Sequence, residues 1–377
     1  MAEVTPSGSW NRIEINLENL QANYRNLSNL AGPDARVMPV VKSDAYGHGL
    51  VEVAAALADI GASVFGVAET EEGVRLRKAG IEGEIIVLLG AMAENFSEII
   101  RYALAPVVYD LAMIKELSAR AEKEGKKVPV HLKIDTGMGR LGIMPDEVDE
   151  YLELFSELAG VELAGVLSHF PMADSSDQSA TDTQTAVFSQ LVKKIHERFA
   201  GSVSHIANSA AAIRNPGSRL NMIRPGIALY GCCPSAGSDF CSGITLQPVM
   251  SFKTRVIQVK EVPAGYGVSY GHQFTTTRPT RLAVLPVGYD DGYLRRLSGR
   301  AEVLIGGKRV PVVGRICMNA CMADITDLDR VQAGDEVVLM GRQGLEEISA
   351  DEIAGWLETI SYEVLCTFGG SNHRFYV

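Results

Sequence analysis

Lys42 ends a short apolar run in the stretch MPVVKSDAYGHG, and a polar, glycine-rich turn follows it. A lysine at the end of a buried strand is partly desolvated, which lowers its pKa and suits the amine to Schiff-base chemistry. Three other stretches carry polar groups in the same manner. HLKIDTGMGRLG sets Lys133 and Asp135 on one face of a strand, with Arg140 beyond a glycine-flanked turn. HIANSAA puts Asn208 and Ser209 where a helix should begin, so their donors could hold an anion. MIRPGIALYG sets Arg224 ahead of Gly226, whose amide can approach a phosphate closely. Each has a plainer reading: Lys42 as a surface lysine, Asp135-Thr136-Gly137 as a turn, Ser209 as a helix cap, Arg224 as half of a surface salt bridge. Their joint appearance at successive strand ends is hard to reconcile with those readings.

Such groups converge only if their strands end side by side. From about residue 12 to about 240, apolar β-rich runs alternate with amphipathic helical patterns. The strands expected are 37–41, 64–67, 85–89, 106–108, 130–134, 163–167, 204–206 and 226–229, with helices such as 50–60, 111–124 and 186–199 between them. This repetition suits an α/β fold, an eight-stranded parallel (β/α)8 barrel, whose catalytic groups lie at the C-terminal strand ends. An open, doubly wound sheet would carry a Gly-x-Gly-x-x-Gly loop after its first strand, and none is present. Past about residue 243 the pattern turns to strands at 249–262, 281–287, 301–305, 310–316 and 335–340. Gly306-Gly307 offers a hairpin turn, and Ser349-x-x-Glu352 opens a helix running to about Glu358. The expected organisation is therefore a barrel over 1–242 and a mainly β C-terminal domain over 243–377.

Composition narrows the class of function. With 35 Lys and Arg against 46 Asp and Glu, the net charge is −11, which leaves no cation excess for a nucleic-acid partner. The N-terminus lacks the basic start and apolar run of a signal peptide, and no apolar stretch is long enough for a membrane span, so a cytoplasmic enzyme is expected. The six cysteines form no zinc framework and read as buried, inert thiols rather than disulfides. His48, His131, His196, His205, His272 and His373 show no metal-ligand spacing and read as core or surface histidines; no metal is expected.

The motifs VVKSDAYGHG, LKIDTGMGRLG, LSHF, HIANSA, IRPGIALYG, YGVSYG, PVGYDDG, VGRICMN and TISYEV, in this order, resemble those of the alanine racemases, fold-type III pyridoxal-phosphate enzymes. The resemblance covers nearly the whole chain. It implies pyridoxal 5'-phosphate as cofactor, alanine as substrate, and a homodimer whose sites join one subunit's barrel to the other's second domain. By resemblance Lys42 bonds covalently to the cofactor and serves as one base, and Tyr270 is the other. The phosphate falls to Tyr46, Ser209, the amides of Gly226 and Ile227, and Tyr362. Arg224 meets the pyridine nitrogen. A guanidinium does not readily give up a proton, so that nitrogen stays an acceptor and the ring a weakened electron sink. His169 and Arg224 belong to the network that tunes Tyr270. Arg140 pairs with the substrate carboxylate or the cofactor's phenolic oxygen, and the Met318 amide with the carboxylate. Lys133 matches a lysine that is carbamylated in many relatives, and Tyr289 matches a residue at a narrow entrance. One departure stands out: Asn319 follows Cys317-Met318 where the family has Asp, which puts the local charge in doubt.

The expected function is the interconversion of L- and D-alanine, supplying D-alanine for peptidoglycan. A racemase for serine or a wider set of small amino acids is the nearest alternative, since an apolar pocket rejects an added hydroxyl only weakly. A decarboxylase of the same fold type would benefit from a protonated ring nitrogen, which Arg224 opposes. A pyridoxal-phosphate-binding regulatory protein would have no need of Tyr270 and Tyr362 on a second domain.

Overall fold

The computed structural model describes residues 9–235 and 239–377. The chain forms two compact units. One comprises Asn19–Ala45 and Leu50–Gln247; the other comprises the described residues up to Glu18, Tyr46–Gly49 and Pro248–Val377.

In the first unit six parallel strands pair in chain order: Val64–Val67, Glu84–Val87, Ala105–Val108, Val128–Lys133, Val161–Leu167 and Val203–His205. Arg36–Val37 and Met222–Ile223 form a second parallel pair. Backbone hydrogen bonds continue from this pair on both sides: Val41 N donates to Gly66 O at 2.8 Å, and Arg224 N to Ala207 O at 2.9 Å. Helices such as Leu50–Ala58, Thr70–Lys78, Leu111–Lys123 and Ser179–Arg198 connect the strands. Val64–Val67 and Ala105–Val108 are buried throughout, as continuous apolar runs in a covered parallel sheet must be. Met38, Val64, Ile86, Val107, Leu167 and Met222 pack together inside.

The run expected as a strand over 226–229 is not one. Ile227–Tyr230 is a 3-10 turn, and the strand lies earlier, at Met222–Ile223. Pro225 has no N–H for a ladder, and the amides of Gly226 and Ala228 turn instead to the Ser209 hydroxyl. The cysteine reading is also corrected: Cys233 and Cys241 are joined in a disulfide, and Cys317 and Cys366 are only partly buried.

The second unit is mainly β. Its sheet runs Gln258–Val262, Thr280–Leu285, Cys321–Asp324, Lys308–Val313, Glu302–Ile305, Glu336–Gln343, Met250–Arg255, Arg12–Ile15 and Arg374–Tyr376. The single strand expected over 249–262 is two, because Val256 bonds to Asp335 while Ile257 bonds to Val284. Gly306 and Gly307, at φ of 60° and 75°, make the tight turn between paired strands. Ser349 Oγ caps the helix Ala350–Leu357 by accepting from Glu352 N at 3.0 Å. A second helix, Ser361–Ser371, follows and was not expected. Nor was the placement of the N-terminal strand. Ile13 and Ile15 are fully buried, and Arg12–Ile15 pairs with Met250–Arg255 and Arg374–Tyr376, so it belongs to the β-rich unit.

Candidate active site

Lys42 follows Val41 directly and begins the turn Lys42–Tyr46. Ser43, Asp44, Ala45 and Tyr46 all have φ between 53° and 55°, a left-handed conformation that costs a side-chain-bearing residue about 1–2 kcal/mol. Local bonds hold it. Ser43 N donates to Glu72 Oε1 at 2.6 Å, Leu50 N to Asp44 Oδ1 at 3.0 Å, and Arg75 pairs with Asp44 at 3.3 Å. Strain of this kind persists only where the surroundings over-determine it, which marks the turn as functional.

Beside Lys42, at the same end of the strands, stand three more basic side chains, Lys133, Arg140 and Arg224. Arg224 is buried, and its Nη2 donates to Ser168 O at 2.6 Å and Ile206 O at 3.1 Å. The same Nη2 lies 3.2 Å from His169 Nδ1, and Nη1 lies 3.1 Å from His205 Nδ1. Burial, and then the Arg140 charge, bring the Arg224 pKa down to about 9, so it remains a cation near neutrality. Burial also holds the Lys133 pKa well below its ordinary value; Arg224 and Arg140 add to this, and Asp135 opposes it. His169 is held neutral by burial and by the charges of Arg224, Lys133, Arg140 and Lys42. Asp135 provides little compensation to these cations. Its carboxylate accepts the amides of Gly137, Met138 and Arg140, and these bonds outweigh burial and lower its pKa. It serves as a turn, as the plainer reading had it, while holding Arg140 in place.

Asn208 caps the helix Ser209–Arg214, accepting from Ala211 N at 3.0 Å. The Ser209 hydroxyl is buried and accepts from Gly226 N at 3.0 Å and Ala228 N at 3.3 Å. A hydroxyl gathered with backbone amides is a seat for phosphate oxygens. Together with Arg224 and the basic side chains around it, it gives this end of the strands a positive character suited to a phosphate, a phenolate and a carboxylate. The residues present fit an anionic aldehyde cofactor.

The other assigned residues lie in the β-rich unit. Tyr46 and Tyr362 face each other with ring centroids 6.0 Å apart, and burial, then Tyr362 and Cys366, raise the Tyr46 pKa. The pair is fixed where Gly47 meets the helix Ser361–Ser371. A Cβ on Gly369 would stand 1.9 Å from Gly47 O, so only glycine permits this approach. Tyr270 is 69% exposed, Met318 54% and Tyr289 40%. Their loops are bound to one another. Ser269 Oγ donates to Arg315 O at 2.6 Å, Tyr289 N to Cys317 O at 3.1 Å, and Asp290 N to Met318 O at 3.1 Å. Asn319 Nδ2 donates to Asp290 Oδ2 at 3.2 Å, so a carboxylate stands beside Asn319 although Asn319 itself has none.

Sequence reasoning missed what lies behind Arg224. His205 Nε2 is 3.0 Å from His131 Nδ1, and His131 Nε2 is 3.3 Å from Glu84 Oε1. The usable signal was positional: His131 precedes Lys133 by two residues and so shares its face of the strand. Among the described residues, no group of three or more His, Cys, Asp or Glu is placed to hold a metal ion, and no helix is long and apolar enough to cross a membrane.

The chain is similar to known proteins over nearly its whole length. Residues 15–234 match the family model for the alanine racemase N-terminal domain, and 249–376 that for the C-terminal domain. An alanine racemase of Desulfosudis oleivorans is 45% identical over 96% of this chain and 95% of its own. One of Syntrophobacter fumaroxidans is 42% identical over 97% and 96%. Among solved structures, the Bacillus anthracis alanine racemase with bound L-Ala-P has a TM-score of 0.91 at 34% identity, covering 99% of this chain and 96% of that one. The Bartonella henselae alanine racemase with covalently bound pyridoxal phosphate has a TM-score of 0.88 at 29% identity, covering 98% and 100%. Matched across both family domains, this chain belongs to the alanine racemase family.

Proposed function

We propose that this chain interconverts L- and D-alanine with two bases, Lys42 and Tyr270, each serving one face of the α-carbon. The observation that carries the reading is the gathering of Lys42, Lys133, Arg140 and Arg224 about a neutral His169, in a chain matched to the family across both domains. Pyridoxal phosphate, when bound, supplies the electron sink that acidifies the α-proton.

The chain's own groups do the rest. Lys42 Nζ takes or returns the proton on one face, and Tyr270 Oη does so on the other. A free tyrosine has a pKa of about 10, so Tyr270 needs neighbouring cations and His169 to work near neutrality. Ser209, the amides of Gly226 and Ile227, Tyr46 and Tyr362 hold the phosphate. Arg224 donates toward the ring nitrogen and keeps it unprotonated. Arg140 and the Met318 amide orient the carboxylate, and Tyr289 restricts the entrance to small side chains. Lys133 keeps the option of carbamylation open: burial lowers the pKa of its amine, which favours the form that can attack carbon dioxide, and a carbamate there would set an anion against Arg140.

The enzyme works as a homodimer with shared sites. Tyr270, Tyr289 and Met318 are exposed on their own chain, and a second copy's barrel would cover them. We read the barrel as eight-stranded, and the Val41–Gly66 and Arg224–Ala207 backbone bonds between the six-stranded sheet and the parallel pair support that reading. Its place is the cytoplasm, where it supplies D-alanine for peptidoglycan.

Serine is the substrate most able to compete, because one added hydroxyl costs little in an apolar pocket. A chiral assay on a panel of L-amino acids with added pyridoxal phosphate should give alanine the highest kcat/KM, with serine roughly tenfold to a hundredfold lower. A serine value equal to or above that of alanine would move the assignment to the broader racemase. Turnover of none of them, with the cofactor bound, would favour the regulatory protein.

A further inference from the structure

Arg224 carries a buried charge, and its hydrogen-bond partners among the described residues are two carbonyls and two imidazoles, with no carboxylate. One imidazole leads away from the site. From His205 the chain of contacts passes to His131, then to Glu84, and ends at Arg36, whose Nη2 is 3.2 Å from Glu84 Oε2. Arg224 follows the strand Met222–Ile223, whereas Glu84 and Arg36 open theirs. The chain thus runs from the cation-rich end of the strands, through the interior, to the opposite end. His131 and His205 are fully buried.

The donors allow one proton arrangement. A guanidinium only donates, so His205 Nδ1 must accept from Arg224. Neutral His205 then bears its proton on Nε2 and donates to His131 Nδ1. His131 in turn bears its proton on Nε2 and donates to Glu84. A protonated His131 would drive a proton onto His205 Nδ1, where it would confront the guanidinium. Burial pushes the Glu84 carboxyl up, but its bonds to His131 and Arg36 outweigh that and hold it below the usual range, so the relay from Arg224 reaches an anion that is itself paired with Arg36.

We propose that Glu84 is a positioning residue for Arg224, acting through His131 and His205 to orient the guanidinium and to offset its buried charge from the far end of the strands. The inference rests on the assignment of Arg224 to the ring nitrogen. A carboxylate set directly against Arg224 would occupy the guanidinium's donors as a bidentate pair. Relayed through two polarised imidazoles, the anion strengthens the acceptor facing Arg224 without a carboxylate set directly against the guanidinium. The fold makes room for the relay. A Cβ on Gly165 would stand 2.3 Å from His131 Nδ1, so a side chain there would expel the imidazole.

The test combines a mutant cycle with a spectrum. In the loaded enzyme, Glu84→Gln should lower kcat about three- to tenfold, leave the KM for alanine nearly unchanged, and raise the share of turnovers ending in transamination. In an Arg224→Gln background, Glu84→Gln should add little, because the relay's target is gone. Residues this far apart with no shared partner otherwise act independently. Effects that multiply would overturn the proposal. Gly165→Ala, which changes no member of the relay, should reproduce the Glu84→Gln pattern; normal behaviour there would also overturn it. Nitrogen-15 spectra of the histidines should show neutral His205 with its proton on Nε2, a state that Glu84→Leu disperses. An undisturbed His205 signal in Glu84→Leu would contradict the relay, whatever the kinetics. If Arg224→Gln alone leaves the transamination share unchanged, it is the assignment of Arg224 that fails, and the spectrum then decides the relay by itself.

Discussion

Lys42→Ala and Tyr270→Phe are each expected to be nearly inactive as pure homodimers, and a mixed dimer of the two is expected to be active. Each single variant lacks a base on one face of the α-carbon. Loss of a positioned acid–base group alone costs on the order of a hundredfold to ten-thousandfold. Lys42→Ala should lie at or beyond the upper figure, since it also removes the covalent attachment. Lys42 sits at the strand ends of one unit, and Tyr270 is 69% exposed in the other. In a shared-site homodimer, Lys42 therefore works with Tyr270 of the partner subunit. One site of the mixed dimer then lacks both bases, and the other has both. Activity should return to about half of wild type per heterodimer if the sites act independently. Purification through two different affinity tags verifies the mixed species. A verified heterodimer as inactive as its parents would mean that both bases come from one chain, or that Tyr270 is not the second base.

Arg224→Glu should slow racemisation on the order of a hundredfold and raise the share of turnovers that end in transamination. A buried carboxylic acid can protonate the ring nitrogen, whereas a guanidinium with a pKa still near 9 cannot usefully do so. With a carboxylic acid in place of the guanidinium, the bound cofactor would be a stronger electron sink, which would favour transamination over simple return of the α-proton. The same substitution leaves Ser168 O and Ile206 O without their donor, so some loss of stability should accompany it. The ratio of transamination to racemisation is therefore the informative quantity, since partial unfolding lowers both together. An unchanged ratio would remove the reason given for Arg224.

The residues that meet at the strand ends were legible because their chemistry repeats at a recognisable place. Lys42, Lys133, Ser209 and Arg224 each follow an apolar run, and the βα alternation puts such ends together. The fold was legible to the extent that strands announced themselves locally. IALY reads as a strand by composition, yet Pro225 and the Ser209 hydroxyl divert its amides into a turn. Arg12–Ile15 gave no sign of its unit because its partners lie more than 200 residues away, and pairing at that range leaves no local trace. The Cys233–Cys241 disulfide was missed for another reason. Its spacing of eight is unremarkable, and the expected reducing compartment argued against any such bond. His131 and His205 read as isolated core histidines since they are 74 positions apart and Glu84 is 47 from His131. Only the side-by-side pairing of the parallel strands turns three scattered residues into one path.

The most direct test of the whole assignment is reduction of the pyridoxal-phosphate-loaded enzyme with borohydride, followed by peptide mapping. Lys42 is the lysine that follows Val41 at a strand end and begins the left-handed turn, and the cofactor should be fixed irreversibly to its peptide, with loss of colour and activity together. Label on the peptide of Lys133 or any other lysine, or retention of activity after the colour is gone, would contradict it.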